Sequence, residues 1–535
     1  YSPSSNGEHF PIVLPDNVHL IGDESENTIL DAEADANKEA AVIIIKEVED
    51  VTVANLTLTG GYSEGHGCTG GGGLLLTAND MFNLETEDGT NIASTYPIIE
   101  NVIIDDNHSH NGGGISFFRV NGPVLNNVII SNNNATAFGG GMFSYVSEMT
   151  MTGVTITGNQ NQGNGQGGGI MLANSRGTFD NMTITNNTAN GSHGGAIWTN
   201  NSGGPDSYGG WTMTNSVISG NSSNWFGGGI MAAWSHPTLI NCTITENTSG
   251  WGGGGVFGLE GGFTLKESMV SDNFSYGGGG GIYVWGPVNE TAVIEDCIVS
   301  GNQSASNGGG IGLDEVEAIM FTRTSVVDNY ASENVGGINV TGSYANINNV
   351  TISGNISGGG GGVGLTNSSV NITNSIVWNN TGNEIIGSAT VTYSDIEGGF
   401  AGEGNIDADP LFTDIDNGDY TLQAPDSPCI DAGTADLDGD GTEDITDYTG
   451  SAPDMGAFES NLPAPTGFQH FLQSASVMLW WDPSTDENFQ YFLLERSTDD
   501  LFAEDVVSNY LTNSFYTDDD LEFNTEYFYR VSYFS

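Results

Sequence analysis

The sequence predicts an all-β chain: a right-handed parallel β-helix of about 12–13 rungs, followed by a small β-sandwich. Two recurring markers and their spacing carry that prediction. Gly-rich triplets run through the chain, each followed by one apolar residue: Leu74, Ile115, Met142, Ile170, Ile197, Ile230, Val256, Ile282, Ile311, Ile338 and Val363. Between them a second marker ends in Asn, at Asn107, Asn133, Asn159, Asn187, Asn221, Asn247, Asn273, Asn302, Asn329, Asn355 and Asn380. Successive Asn markers lie mostly 25 to 29 residues apart, with one gap of 34. A period of that length signals a solenoid.

The residues between markers predict the strands. Three positions before each Asn stands Ile or Val, from Ile104, Ile130 and Ile156 through to Val377. Eight positions before, the column is again apolar: Ile99, Leu125, Met151, Phe179, Met213, Leu239, Leu265, Ile294, Phe321, Ile347 and Ile372. Segments such as Val154-Thr155-Ile156-Thr157 alternate apolar with polar, the period of a strand with one buried face. No stretch of this body carries a helical period, so each rung is expected to supply three short strands, stacked at about 4.8 Å.

Glycine and asparagine account for the corners. Gly reaches backbone angles closed to other residues. Asn tolerates the left-handed region, and its amide can bond the same amide one rung on, forming a ladder. Cys242 and Cys297 fall in one inward column two rungs apart, roughly 9 to 10 Å, too far for a disulfide. They are expected to be free core thiols; Cys68 and Cys429 have no assignable place.

Composition bounds the partners. With 67 acidic residues against 8 Lys plus Arg, the net charge of −59 repels nucleic acid and anionic membrane surfaces. No run of about 18 apolar residues predicts membrane insertion. Four Cys are too few for a disulfide scaffold in a chain of 535 residues.

These repeats resemble those of right-handed parallel β-helix repeat proteins, including secreted bacterial ones and polymorphic outer-membrane adhesins. The opening stretch from Phe10 to Gly22 resembles the first coil of such proteins, which follows an upstream strand and a Gly-Thr-Tyr turn. The resemblance therefore implies residues before Tyr1. It covers roughly residues 1–460 and implies a secreted or cell-surface protein.

After about residue 398 the period fails. Residues 399–462 form an acidic segment expected to cap the helix of residues 1–398. Its run from Asp436 to Asp447 places oxygen ligands at Asp436, Asp438, Asp440, Asp444 and Asp447, with Thr442 offering its carbonyl and Gly441 making the sharp turn. That spacing wraps a chain around Ca²⁺ and resembles the dockerin variant of the EF-hand loop. Pro463-Ala464-Pro465 reads as a linker to residues 463–535, whose apolar strands resemble a fibronectin type III domain. Trp480 or Trp481 would lie in its core and Tyr527 near a tyrosine corner. The chain stops at Ser535 before a last strand, so it is expected to continue.

Few residues in the sequence read as catalytic. Arg119, Arg176, Lys266 and Arg323 are scattered, with no pair recurring in one column. Glu246 and Asp272 share a column on adjacent rungs, about 5 Å apart, which is the separation a pair of hydrolytic carboxyls needs. They flank the Asn ladder, however, and read as turn residues. Gly65-His66-Gly67 echoes a polygalacturonase motif at the wrong end of the chain. A binding face is the better expectation, because rung length varies between Leu74 and Ile99, Ile197 and Met213, and Ile282 and Ile294. A second turn carries Phe138, His193, Trp225, Phe226, Trp251 and Tyr276; of these Trp225, Phe226, Trp251 and Tyr276 are the candidate contacts for a glycan or partner. The expectation is a non-enzymatic extracellular structural or adhesive protein, self-associating or engaging a surface glycan or protein. The alternative is a polysaccharide-degrading enzyme, lyase or hydrolase, or a carbohydrate-binding module.

Overall fold

The computed structural model describes residues 1–64, 70–77, 93–94, 96–200, 210–287, 292–460, 468–472, 476–483, 491–498, 506–521, 525 and 527–534. Gly65-His66-Gly67, Cys68, the Pro463-Ala464-Pro465 linker and most of the three length-varying insertions lie outside these residues. Among the described residues no helix is long and apolar enough to cross a membrane.

Short strands wind into a parallel β-helix with three sheets, of 14, 27 and 11 strands among the described residues. One rung shows the plan. Ile230–Ala233 lies in the first sheet, Thr238–Ile240 and Thr243–Thr245 in the second, and Thr248–Ser249 in the third. Each strand pairs in parallel with its counterpart one rung away, as Thr243–Thr245 does with Met269–Ser271. The opening coil joins this stack, Ile12–Leu14 pairing with Ile43–Lys46 and His19–Ile21 with Thr52–Ala54. Before it, Pro3–Asn6 forms one helical turn capped by Ser2, which apolar periodicity could not signal in so short a segment.

Both apolar columns point inward and are fully buried, from Ile104 to Val377 and from Ile99 to Ile372. The ladder closes as expected. From Asn133 on, each Asn side-chain oxygen accepts two N–H groups from the preceding Asn, as Asn247 Oδ1 does from the backbone N (3.0 Å) and Nδ2 (2.9 Å) of Asn221. Cys242, Cys297 and Cys429 are buried free thiols.

Two of the turn positions that take the left-handed conformation flank the second strand of the second sheet. One joins the two strands of the second sheet, at Asn181, Asn215 and Asn241, and the other precedes the ladder Asn, at Asn186, Glu246 and Asp272. The Gly triplets have two reasons. Gly227 sits at φ +66°, and a side chain on Gly228 would meet the carbonyl of Gly254 at 2.4 Å on the next rung.

The outer side of the first sheet was not anticipated. Phe118, Phe143, Met171, Trp198, Met231, Ala233 and Phe257 point away from the helix interior yet form a second buried apolar cluster, with Phe226 and Tyr283 packed against it. Phe257 anchors it, stacking between Phe226 (4.4 Å) and Tyr283 (5.4 Å).

Beyond the helix, Phe412–Asp414 and Asp419–Leu422 form an antiparallel hairpin. Residues 469–534 make two three-stranded antiparallel sheets around Val477, Leu479, Trp481, Phe492, Leu494 and Val531. Trp481 is buried there and Trp480 is 38% exposed.

Candidate functional site

The acidic segment folds back along the second sheet. Asn349 Nδ2 donates to the Asp454 carbonyl at 3.1 Å, and Asn374 Nδ2 donates to Thr434 O at 2.8 Å. Thr434 N returns a bond to Asn374 Oδ1 at 2.7 Å, and Ala457 N donates to Thr351 Oγ1 at 3.0 Å. Asn349 and Asn374 can serve because they occupy the left-handed turn that presents their amides outward.

Between flank and returning segment lies a groove of about 650 Å³. The helix contributes Arg323, Tyr344, Asn346, Asn371, Thr390 and Thr392, and the returning segment contributes Asp438, Asp444, Asp447 and Glu459. Arg323 is pinned: its Nε donates to Asp296 Oδ1 at 2.6 Å, and its Nη2 to Asp296 Oδ2 (2.9 Å) and Glu295 Oε1 (2.8 Å). These bonds hold the guanidinium firmly protonated, and Asp447 adds to the field around it. Lys266 meets the same Glu295 at 2.6 Å. Two of the cations that look scattered in the sequence thus share one carboxylate across adjacent rungs, a neighbourhood visible only once Lys266, Glu295 and Thr322 are in register.

Glu459 differs from the other groove carboxyls. Burial, with the Asp454 carboxylate beside it, pushes it up to about 7. Its oxygens accept the backbone N–H groups of Thr449 (2.9 Å) and Asp454 (3.1 Å). It lies outside every motif in the sequence; only burial against Asp454 singles it out.

The Asp-rich loop forms one wall. Asp436, Asp438 and Asp444 bring carboxylate oxygens within 4.8 Å of one another. Two ligands of one Ca²⁺, each at 2.3–2.6 Å, stand no farther apart than about 5 Å, so these three oxygens fit the ion. The rest of the expected set is not gathered there. Asp440 turns its Oδ1 to the N–H of Thr442 at 2.8 Å, and Asp447 lines the groove. An EF-hand brings its twelfth residue back with the exiting helix, whereas residues 444–449 are irregular here.

The aromatic turn divides in two. Trp225 and Trp251 stack in parallel, centroids 5.9 Å apart, and stay 45% and 58% exposed. Tyr276 is exposed and packs edge-on against Phe274. Phe226 leaves this surface: it stacks on His193 at 5.4 Å and on Phe257, inside the outer apolar cluster. Glu246 and Asp272 hold left-handed turn positions on consecutive rungs, a conformation that short polar Asp tolerates.

A family model described as "Right handed beta helix region" matches residues 41–209 and 150–348, together more than half of the chain. No curated protein matches. Among solved structures the chain is similar to a crystal structure of pectate lyase Pel9A, with 15% identity, a TM-score of 0.34, and coverage of 84% of this chain and 98% of that one. The expectation that the chain is not an enzyme, drawn from scattered cations and turn-bound carboxylates, does not stand, because Arg323, Asp447 and Glu459 line one groove. Its rungs, ladder and matched residues make this chain a member of the right-handed β-helix family.

Proposed function

We propose that the chain is an extracellular polysaccharide-degrading β-helix that holds a neutral glycan in the groove between its flank and the acidic return segment. One observation carries this reading: Glu459, a carboxyl that keeps its proton to near neutral pH, lines the same space as the exposed carboxylate Asp447 and the pinned cation Arg323. Two carboxyls in unlike environments are what glycoside hydrolysis requires, one to protonate the leaving oxygen and one to attack or to activate water. Asn346, Asn371, Thr390 and Thr392 offer amides and hydroxyls to sugar hydroxyls, and Tyr344 an aromatic face. Elimination is less favoured, because Arg323 is held protonated and cannot take a proton. A net charge of −59 favours neutral over uronate polymers.

Calcium belongs to the same reading. Asp436, Asp438 and Asp444 would hold it, and Asp438 and Asp444 also line the groove, so the bound ion would fix the wall that carries Asp447. The antiparallel sheets of residues 469–534 support a fibronectin type III-like accessory module with Trp481 in its core.

The test is a screen of neutral and acidic polysaccharides for released chain ends. Turnover of a neutral glycan is expected, falling about 100-fold or more in E459Q and in D447N, the latter at unchanged thermal midpoint. The rate should decline as pH rises through about 7, where Glu459 loses the proton it must donate. No turnover on any glycan, or full activity in both variants, overturns the proposal. Glycan retention without turnover, lost in W225A/W251A, would instead make the chain a binding module.

A further inference from the structure

At the corner between the third and first sheets, across the helix from the second sheet that carries the groove, an aromatic stack stops short. Trp225 and Trp251 occupy one column on consecutive rungs, Trp251 N donating to Trp225 O at 2.8 Å, and their rings lie parallel with centroids 5.9 Å apart. His193, one rung before, closes one end of the stack at 6.3 Å from the Trp225 ring. The other end carries no third ring. Gly277 takes that place, and its backbone lies so near the Trp251 carbonyl that any Cβ there would collide with it. The face of Trp251 turned away from Trp225 therefore looks onto a gap, and the ring is 58% exposed against 45% for Trp225.

The gap has walls of mixed chemistry. Tyr276, next to Gly277, flanks it and is exposed, held edge-on against Phe274 at 4.8 Å. On the far side stands Ser306: Ala305 N donates to Ser275 O at 2.9 Å, which sets Ala305 level with Tyr276 and Ser306 level with Gly277. Ser306 Oγ donates to Glu333 Oε2 at 3.1 Å, and the Glu333 side chain is exposed. Trp251 and Ser306 are two rungs apart, about 9.6 Å. A pyranose seated on the indole at about 3.5–4.0 Å leaves about 5.5–6 Å to Ser306. One ring hydroxyl and a hydrogen bond of about 2.8 Å cover that distance. None of the chain's 8 Lys and Arg residues falls in these corners, residues 222–227, 248–253, 274–279, 303–308 and 330–335, so a uronate carboxylate meets no cation there.

We propose that the gap between Trp251 and Ser306 is a second glycan-binding site, which seats one neutral pyranose ring of a polysaccharide on the free face of Trp251. The sugar lays its C–H face on the indole, and its hydroxyls bond Ser306 and the Glu333 carboxylate. The slot holds the chain to a polymer and takes no part in bond cleavage, so it stands whether or not the groove is catalytic.

The experiment is affinity electrophoresis of the whole chain, in the D447N background so that the polymer stays intact, through gels containing glucomannan, arabinoxylan or polygalacturonate. Retardation by glucomannan or arabinoxylan is expected, and none by polygalacturonate. W251A should weaken it about tenfold at nearly unchanged thermal midpoint, and W251Y should recover most of it. S306W, which fills the gap and leaves the indole in place, should weaken it as much as W251A. No retardation by either neutral polymer overturns the slot, as does retardation in W251A or S306W equal to that of the parent chain. A chain that cleaves nothing yet is retarded through Trp251 overturns the groove reading alone; one that cleaves but is not retarded overturns the slot alone.

Discussion

Glu384 accepts the backbone N–H of Asn380 at 3.0 Å, in the place that the next asparagine fills for Asn355 and for every ladder Asn before it. It also accepts Asn380 Nδ2, so one carboxylate ends the ladder by satisfying both donors that an Asn amide oxygen satisfies elsewhere. Burial, with Glu397 adding, pushes this carboxyl up to about 7 from an ordinary 4.5. A carboxyl raised in the folded state binds more protons folded than unfolded. Its stabilising contribution is complete below about 4.5 and is lost as pH rises through about 7. Asp395, buried nearby in the chain and pushed up to about 6, acts in the same direction. Chemical denaturation followed from pH 4.5 to 8 should show stability falling across this window, and E384Q should flatten part of the fall.

Interior ladder residues carry a larger penalty. Asn247 is fully buried; its Nδ2 donates to Ile218 O (2.9 Å) and to Asn273 Oδ1 (3.0 Å), and its Oδ1 accepts twice from Asn221. N247A leaves several of these groups without partners, each costing about 1–3 kcal/mol. The expected loss is about 3 kcal/mol or more in urea unfolding. N247D should be no milder, since it sets an acceptor against Asn273 Oδ1.

The outer aromatic cluster and the exposed tryptophans should separate in a stability assay. F257A removes a fully buried ring between Phe226 and Tyr283 and should cost about 3–5 kcal/mol. W251A removes a ring that is 58% exposed and should cost about 1 kcal/mol or less. Equal losses would place Trp251 in the cluster.

Calcium dependence should follow the three gathered carboxylates. Chelation should lower the thermal midpoint of the unaltered chain, and D436N and D444N should lower it without chelator and abolish the response. D440N should keep most of it, because Asp440 is not among the three carboxylates whose oxygens lie within 4.8 Å of one another. A chelator that leaves the midpoint unchanged would count against the loop as a metal site.

The division between what could be read from the chain and what could not follows from the range of the interactions. A solenoid repeats its neighbours, so each rung writes its own needs locally: an inward Ile at 104, 130 and 156, a ladder Asn three residues on, a Gly where the next rung's carbonyl leaves no room. Those needs recur at nearly constant spacing and determined the β-helix, its register and its ladder from residue types alone. The outer cluster was written there too, since Phe143, Met171, Trp198, Met231 and Phe257 each follow an inward apolar residue, the mark of a strand covered on both faces. The groove was not written in any period. It depends on where a non-repeating acidic segment lands, which is decided by Asn349 and Asn374 meeting Asp454 and Thr434 across long stretches of chain. Only that docking brings Asp447 beside Arg323 and buries Glu459 enough to hold its proton. Likewise the open face of Trp251 arises from the stacking of rungs, which sets Gly277 against it, not from the order of residues in sequence. Local repetition determined the fold; non-local docking and stacking decided the chemistry.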